Sequence, residues 1–139
     1  MPYHRVIQIE FNHCDPAGIV FYPRYFEMTN SVVENFFADV LGNSFAEMME
    51  ERRGVPTARL EVNFHAPSRL GEKLDFGLEI TRIGRTSVGF RIIAEAGGID
   101  RLTADLTLVN VDCLGQPQPW AGPVRTRMAE FAKKDHGHE

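Results

Sequence analysis

Cysteine is nearly absent: Cys14 and Cys113 are too few for a disulfide scaffold, and neither stands at a metal or redox spacing. No apolar run approaches the roughly 20 residues that cross a bilayer. The start, Met1-Pro2-Tyr3-His4-Arg5, leads straight into alternation without a signal-peptide apolar stretch. Cations are not in excess. The formal net charge of −4 argues against general nucleic-acid affinity, so an anionic ligand would need a local cationic site. Internal repeats, low-complexity tracts and domain linkers are missing, as are a phosphate-cradling glycine loop and a marker of a Ser-His-Asp arrangement. Metal ligands lack paired spacing at His4, His13 and His65, and His136-Gly137-His138 is expected to chelate only adventitiously. These absences leave one reduced, cytoplasmic-type domain over residues 1–133, with 134–139 expected to fray.

What is present is periodicity. Ile7, Ile9 and Phe11 alternate with Gln8, Glu10 and Asn12, which predicts a half-buried strand over Arg5–Asn12. A long helix is expected from Tyr22 or Pro23, with Phe26, Asn30, Val33, Phe37, Val40 and Leu41 on one side and Gly42 as its C-cap. Ser44-Phe45-Ala46-Glu47 has capping-box spacing and predicts a short second helix to about Arg53.

Four alternating strand patterns follow, centred on Ala58–Phe64, Leu74–Ile80, Val88–Ala94 and Leu102–Leu108. Their short separators, with Gly71, Gly84 and Gly97-Gly98, predict antiparallel neighbours, since a parallel return needs a longer crossover. Pro117, Pro119 and Pro123 precede a last short helix over about Val124–Lys133. The class is α+β. A helix apolar over most of its surface needs a curved sheet wrapped around it, and the sheet's edges favour a dimer or tetramer.

The chemistry is concentrated in Asn12-His13-Cys14-Asp15-Pro16-Ala17-Gly18-Ile19-Val20-Phe21-Tyr22-Pro23, between the first strand and the long helix. Asp15-Pro16 followed by Gly18 predicts a turn. Asp15 is open to two readings: an Asx-turn or helix-start cap, or a nucleophile or general base aimed at a thioester carbonyl. Backbone N–H groups in the helix's first turn, around Tyr22, are the candidate holders of the resulting oxyanion. His13 is a solvent or subunit-contact residue or the partner of Asp15. Cys14, with no activating base, reads as a small buried thiol. Asn30 interrupts the apolar stripe, either lining an acyl pocket or bonding a neighbouring strand.

The run Cys14–Val20, continued by Tyr22-Pro23, resembles the active-site loop of the 4-hydroxybenzoyl-CoA thioesterase family, which has the hotdog fold. That resemblance implies a curved antiparallel sheet around a long central helix, and Asp15 at the catalytic aspartate's position. It implies an acyl-CoA thioesterase; Phe21, Tyr22, Phe26 and Asn30 are expected to frame a compact pocket, and so an aromatic or short acyl group, with Gly18 a further substrate contact. Asn30 stands where some relatives that hydrolyse 4-hydroxybenzoyl-CoA carry a carboxylate, which weighs against that particular acyl group. Arg82, Arg85 and Thr86 resemble the basic segment that contacts CoA, although Gly84 and Thr86 stand where relatives can have further cations. No cofactor is implied, CoA being part of the substrate. The expected partners are acyl-CoA and further copies of the chain, with neither nucleic acid nor membrane. Two other classes stay open: a hotdog hydroxyacyl-thioester dehydratase using His13, and a non-catalytic acyl-CoA-binding module.

Overall fold

Tyr3–Gln8 form the first strand, β1, of a computed structural model that describes residues 2–136. The strand expected over Arg5–Asn12 is corrected at both ends, because Phe11–His13 close into a 3₁₀ turn. Two bonds make that turn: His13 N–H to Glu10 O at 3.0 Å and Glu10 N–H to His13 Nδ1 at 2.8 Å. It rolls Phe11 out of the alternating register, so this ring is exposed while Ile9 is fully buried.

Helix α1, Arg24–Asp39, starts after Pro23, whose fixed φ suits a helix start. Its buried face is Tyr25, Met28, Thr29, Val32, Val33, Phe36 and Phe37, rotated from the expected stripe. Phe26 is only half-buried, and Asn30 is exposed rather than a buried amide. The rotation follows the aromatic core: Phe36 packs edge-on against Tyr3 of β1, with centroids 5.5 Å apart, and against Phe90 at 5.4 Å. The C-cap is Val40, not Gly42. Gly42 follows with φ +66° and turns the chain toward α2, Phe45–Glu50. The capping box is made as expected, Glu47 N–H to Ser44 Oγ at 3.1 Å and Ser44 N–H to Glu47 Oε1 at 3.0 Å. Arg52, at φ +58°, ends this helix earlier than the expected Arg53.

The remaining strands are β2 (Thr57–Phe64), β3 (Lys73–Ile83), β4 (Ser87–Ala96) and β5 (Ile99–Val109). All pairs are antiparallel, in the order β1-β3-β4-β5-β2. The inner faces of β3, β4 and β5 are buried as alternation requires, and Phe36, Phe37, Phe76 and Phe90 are fully enclosed between α1 and the sheet. Each such ring contributes about 1.5–3 kcal/mol of burial. Strand β2 departs from its pattern: Leu60 and Phe64 are exposed, because β2 is an edge that the described residues cover only in part, through Tyr22, Tyr25 and Phe26 against Phe64.

The last helix, α3, runs Gly122–His136, so residues 134–136 continue it where fraying was expected. Gly137 and His138 of the His136-Gly137-His138 motif lie outside the described residues, with the rest of the expected tail. Among the described residues no helix is long and apolar enough to cross a membrane. The whole is α+β, a curved antiparallel sheet around α1.

Candidate active site

The loop after β1 is held as a small ladder. Phe21 N–H bonds His13 O at 2.9 Å and Asp15 N–H bonds Ile19 O at 3.0 Å. Between these rungs Gly18 takes φ +80°, a conformation other residues resist, and its N–H reaches Asp15 O at 2.9 Å. Asp15 is half-exposed, and its Oδ1 accepts the Ala17 N–H at 2.9 Å. The Asx-turn reading of Asp15 is therefore realised, but it occupies one oxygen only. Oδ2 accepts from no group among the described residues.

The expectation that first-turn amides of α1 are open needs correction. Arg24, Tyr25 and Phe26 donate to Phe21, Tyr22 and Pro23 carbonyls at 2.9, 3.1 and 3.1 Å, and Pro23 has no N–H. These tight bonds use up the donors that a helix start ordinarily leaves unpaired. Tyr22 itself precedes the cap, and its N–H meets no acceptor among the described residues. A single free amide thus remains where the positive end of the α1 dipole favours developing negative charge.

Around it lies an aromatic surface. The Tyr22 ring sits edge-on to Phe21, Phe26 and Phe64 at 5.7, 6.3 and 6.1 Å, and Phe21, Tyr22 and Phe64 are about half-exposed. Phe26 and Asn30 follow Tyr22 at one-turn intervals and lead into a cavity of about 530 Å³. Val33, Met48, Arg53 and Leu108 are among its other walls. Asn30 makes no side-chain hydrogen bond among the described residues, so its amide is available to an occupant. Asp15 is not on this cavity's wall.

Other expected residues are dispersed. His13 lines a separate, polar depression with Arg5, Glu10 and Glu27, and its Nδ1 is taken by the Glu10 N–H. It is not coupled to Asp15. Cys14 is half-buried, its thiol donating to Glu10 O at 3.6 Å, rather than fully enclosed. Arg82 and Arg85 flank Gly84 in the β3–β4 hairpin, where Arg125 Nη1 joins them by donating to Gly84 O at 2.8 Å. None of the three pairs with a carboxylate among the described residues. Thr86 contributes its carbonyl to Asn110 N–H at 2.7 Å. Asp15 and this hairpin lie toward opposite ends of β3, whose 11 residues span about 35 Å. Among the described residues no group of three or more His, Cys, Asp or Glu is placed to hold a metal ion.

Sequence reasoning missed Arg101 and Glu72. Arg101 Nη1 and Nη2 meet Glu72 Oε1 and Oε2, each at 2.9 Å, and Arg101 is buried. The Arg101 guanidinium, helped by the Arg69 N–H, holds the Glu72 carboxyl down at about 2. Burial pushes the neighbouring Tyr25 phenol up. Alternation places Arg101 on the outer face of β5, so only its unexpected burial marks it.

The family model of the Thioesterase superfamily matches residues 17–103. No curated protein matches the sequence. Among solved structures, a gentisyl-coenzyme A thioesterase is similar at 21% identity and a TM-score of 0.84, over 91% of this chain and 99% of that one. A 1,4-dihydroxy-2-naphthoyl-CoA thioesterase from Synechocystis is 16% identical over 94% and 98%, with a TM-score of 0.85. A Staphylococcus aureus protein solved in complex with CoA is 13% identical over 96% and 85%, with a TM-score of 0.90. At such identities the likeness establishes the fold.

Proposed function

We infer that this chain, which belongs to the thioesterase superfamily, is a thioester hydrolase that cleaves an acyl-CoA to the free acid and CoA. The observation that carries the reading is the loop before α1, which leaves one carboxylate oxygen of Asp15 and the Tyr22 N–H uncommitted. In the general-base route, Asp15 takes a proton from water as its oxygen attacks the thioester carbon. In the nucleophilic route, Asp15 attacks first, and water then opens the mixed anhydride. Either route places negative charge on the carbonyl oxygen, which the Tyr22 N–H stabilises. Collapse of this oxyanion breaks the C–S bond, in the nucleophilic route before water reaches the anhydride, and the CoA thiolate leaves with little need of a proton. No cofactor enters the scheme.

The acyl group is aromatic or short. A cavity of about 530 Å³ with mostly apolar walls suits that size, and Phe26 and Asn30 lead into it from Tyr22. The gentisyl- and dihydroxynaphthoyl-CoA thioesterases named above act on hydroxylated aromatic acyl groups, in keeping with a free Asn30 amide. Phosphates of a CoA held at Asp15 meet Arg82, Arg85 and Thr86 of a second copy, because the two regions stand so far apart within one chain. The exposed β2 edge and the aromatic surface of Phe21, Tyr22 and Phe64 support such a homodimer, or a tetramer of two. An acyl-CoA substrate and two unpaired cysteines suit a cytoplasmic enzyme.

The test is thiol release from benzoyl-, phenylacetyl-, short- and long-chain acyl-CoAs, beside Asp15→Asn. Asparagine can still accept the Ala17 N–H, so the turn and the melting temperature survive while turnover falls by about 10²–10⁴. Release from no substrate, or full activity in Asp15→Asn, removes the mechanism; acyl-CoA binding without release favours the binding module. His13→Ala is expected to stay active, and near-complete loss there favours the dehydratase.

A further inference from the structure

We propose that Arg101, acting through Glu72 and the segment 67–72, is a positioning residue for Asp15, an inference that rests on the hydrolase reading above. Arg101 stands at the start of β5 and is 6% exposed. Its guanidinium gathers five acceptors. Nη1 donates to Pro67 O at 3.1 Å, Ser68 Oγ at 3.3 Å and Glu72 Oε1 at 2.9 Å; Nη2 donates to Glu72 Oε2 at 2.9 Å and Ala96 O at 3.2 Å. Glu72 Oε1 also accepts the Arg69 N–H at 2.6 Å. One planar cation therefore ties down both ends of a segment that forms no helix or strand of its own.

That segment in turn holds the candidate loop. Ser68 O accepts the Val20 N–H at 2.9 Å, and Leu70 N–H donates to Gly18 O at 3.2 Å. Gly18 and Ile19 are the residues that grip the Asp15 backbone, through Gly18 N–H to Asp15 O and Asp15 N–H to Ile19 O. The route from Arg101 to Asp15 thus runs through hydrogen bonds joined by short stretches of backbone, in segment 67–72 and in the loop itself. Tyr25, buried in the first turn of α1, stands beside Ser68 and Arg101, so the same cation abuts the helix start next to Tyr22.

Stability alone does not account for the arrangement. A buried ion pair is often matched or bettered by apolar residues of similar volume, and Arg101 Nε is buried with no acceptor among the described residues. What a guanidinium adds, and an apolar side chain cannot, is a fixed fork that sets several acceptors in one plane. Catalysis is sensitive to that geometry, since a displacement of about 1 Å can cost about 10²-fold in rate.

The experiment compares Glu72→Gln and Arg101→Lys with Ile92→Ala, a core truncation that makes no bond to segment 67–72, in the full chain and well below each melting temperature. Turnover, KM and hydrogen exchange at the Val20 and Leu70 amides are measured. In Glu72→Gln, kcat is expected to fall about 10- to 100-fold with KM within about twofold, while both amides exchange faster. Ile92→Ala leaves kcat and both amides unchanged. Arg101→Lys keeps the charge but loses the fork; it shifts the same quantities in the same direction and carries the test if Glu72→Gln does not fold. Unchanged kcat in the folded variant, undiminished protection at Val20 and Leu70, or an equal fall in Ile92→Ala overturns the proposal. If the unmutated protein releases no thiol, the hydrolase reading fails by itself, and undiminished protection in Glu72→Gln still overturns the positioning role.

Discussion

Arg127 on α3 donates its Nη1 to the Leu41 carbonyl at 2.9 Å, and its guanidinium fills the space that any side chain on Gly42 would need. The turn that follows the C-cap of α1 is thereby tied to α3.

Gly42→Ala meets the strain of a φ of +66° and displaces the flexible end of Arg127 from its bond to Leu41 O, the smaller of the two costs. The expected loss is about 1–3 kcal/mol, read as a lower midpoint in chemical denaturation with an unchanged slope. Gly42 is at the opposite end of α1 from Tyr22, so turnover of the folded protein stays the same. An unshifted midpoint would mean that neither the left-handed Gly42 backbone nor the Arg127 bond holds this turn.

Acid stability should carry the signature of Glu72. Its carboxyl is held at about 2 rather than 4.5, by the Arg101 guanidinium first and the Arg69 N–H next, against an opposing effect of burial. A depressed carboxylate contributes stability that is complete above its unfolded value and is lost as pH falls through the folded one. The melting-temperature gap between the unmutated protein and Glu72→Gln is therefore widest above pH 4.5 and closes as pH falls toward 2. A gap independent of pH over that window contradicts the ion pair.

Asn30 should govern acyl selectivity. Asn30→Leu keeps the branched shape and the number of heavy atoms but removes the unpaired amide from the cavity wall. The ratio of kcat/KM for hydroxylated benzoyl-CoA over benzoyl-CoA is expected to fall by about tenfold or more, the scale of a lost polar contact in an apolar pocket. An unaltered ratio across the pair places the acyl ring elsewhere.

Arg82 and Arg85 should matter for the nucleotide end of the substrate alone. Replacing both with alanine is expected to raise KM for acyl-CoA by about tenfold and leave kcat unchanged, the pattern of uniform binding lost. The same acyl group on pantetheine, which lacks the nucleotide phosphates, should be handled equally by both proteins. A parallel KM rise for pantetheine thioesters removes these arginines from phosphate recognition.

Much of the fold was legible because period-two alternation and capping are local. Leu74 through Ile80, Val88 through Ala94 and the pair Ser44 and Glu47 appear in the structure as the sequence implies. The loop from Cys14 to Tyr22 was legible too, through Pro16, Gly18 and the motif they belong to. Phe11 was not, since one 3₁₀ turn between Glu10 and His13 cancels an alternation that otherwise reads through it. The Tyr22 amide was legible as the candidate oxyanion holder, but not that the Arg24, Tyr25 and Phe26 amides beside it are taken, which depends on how tightly α1 begins.

Taken by itself, the order of residues determined which segments are helix or strand, which faces of β3, β4 and β5 turn inward, and where an acid and a turn fall together. Those properties follow from backbone periods and φ preferences that span only a few residues. Tertiary structure alone decided that β2 is a partly covered edge, that Asn30 faces a cavity, and that Arg101 lies buried against Glu72. Each of these depends on which distant segments come to lie side by side, and burial of a charge is tolerable only where its partner arrives from elsewhere in the chain.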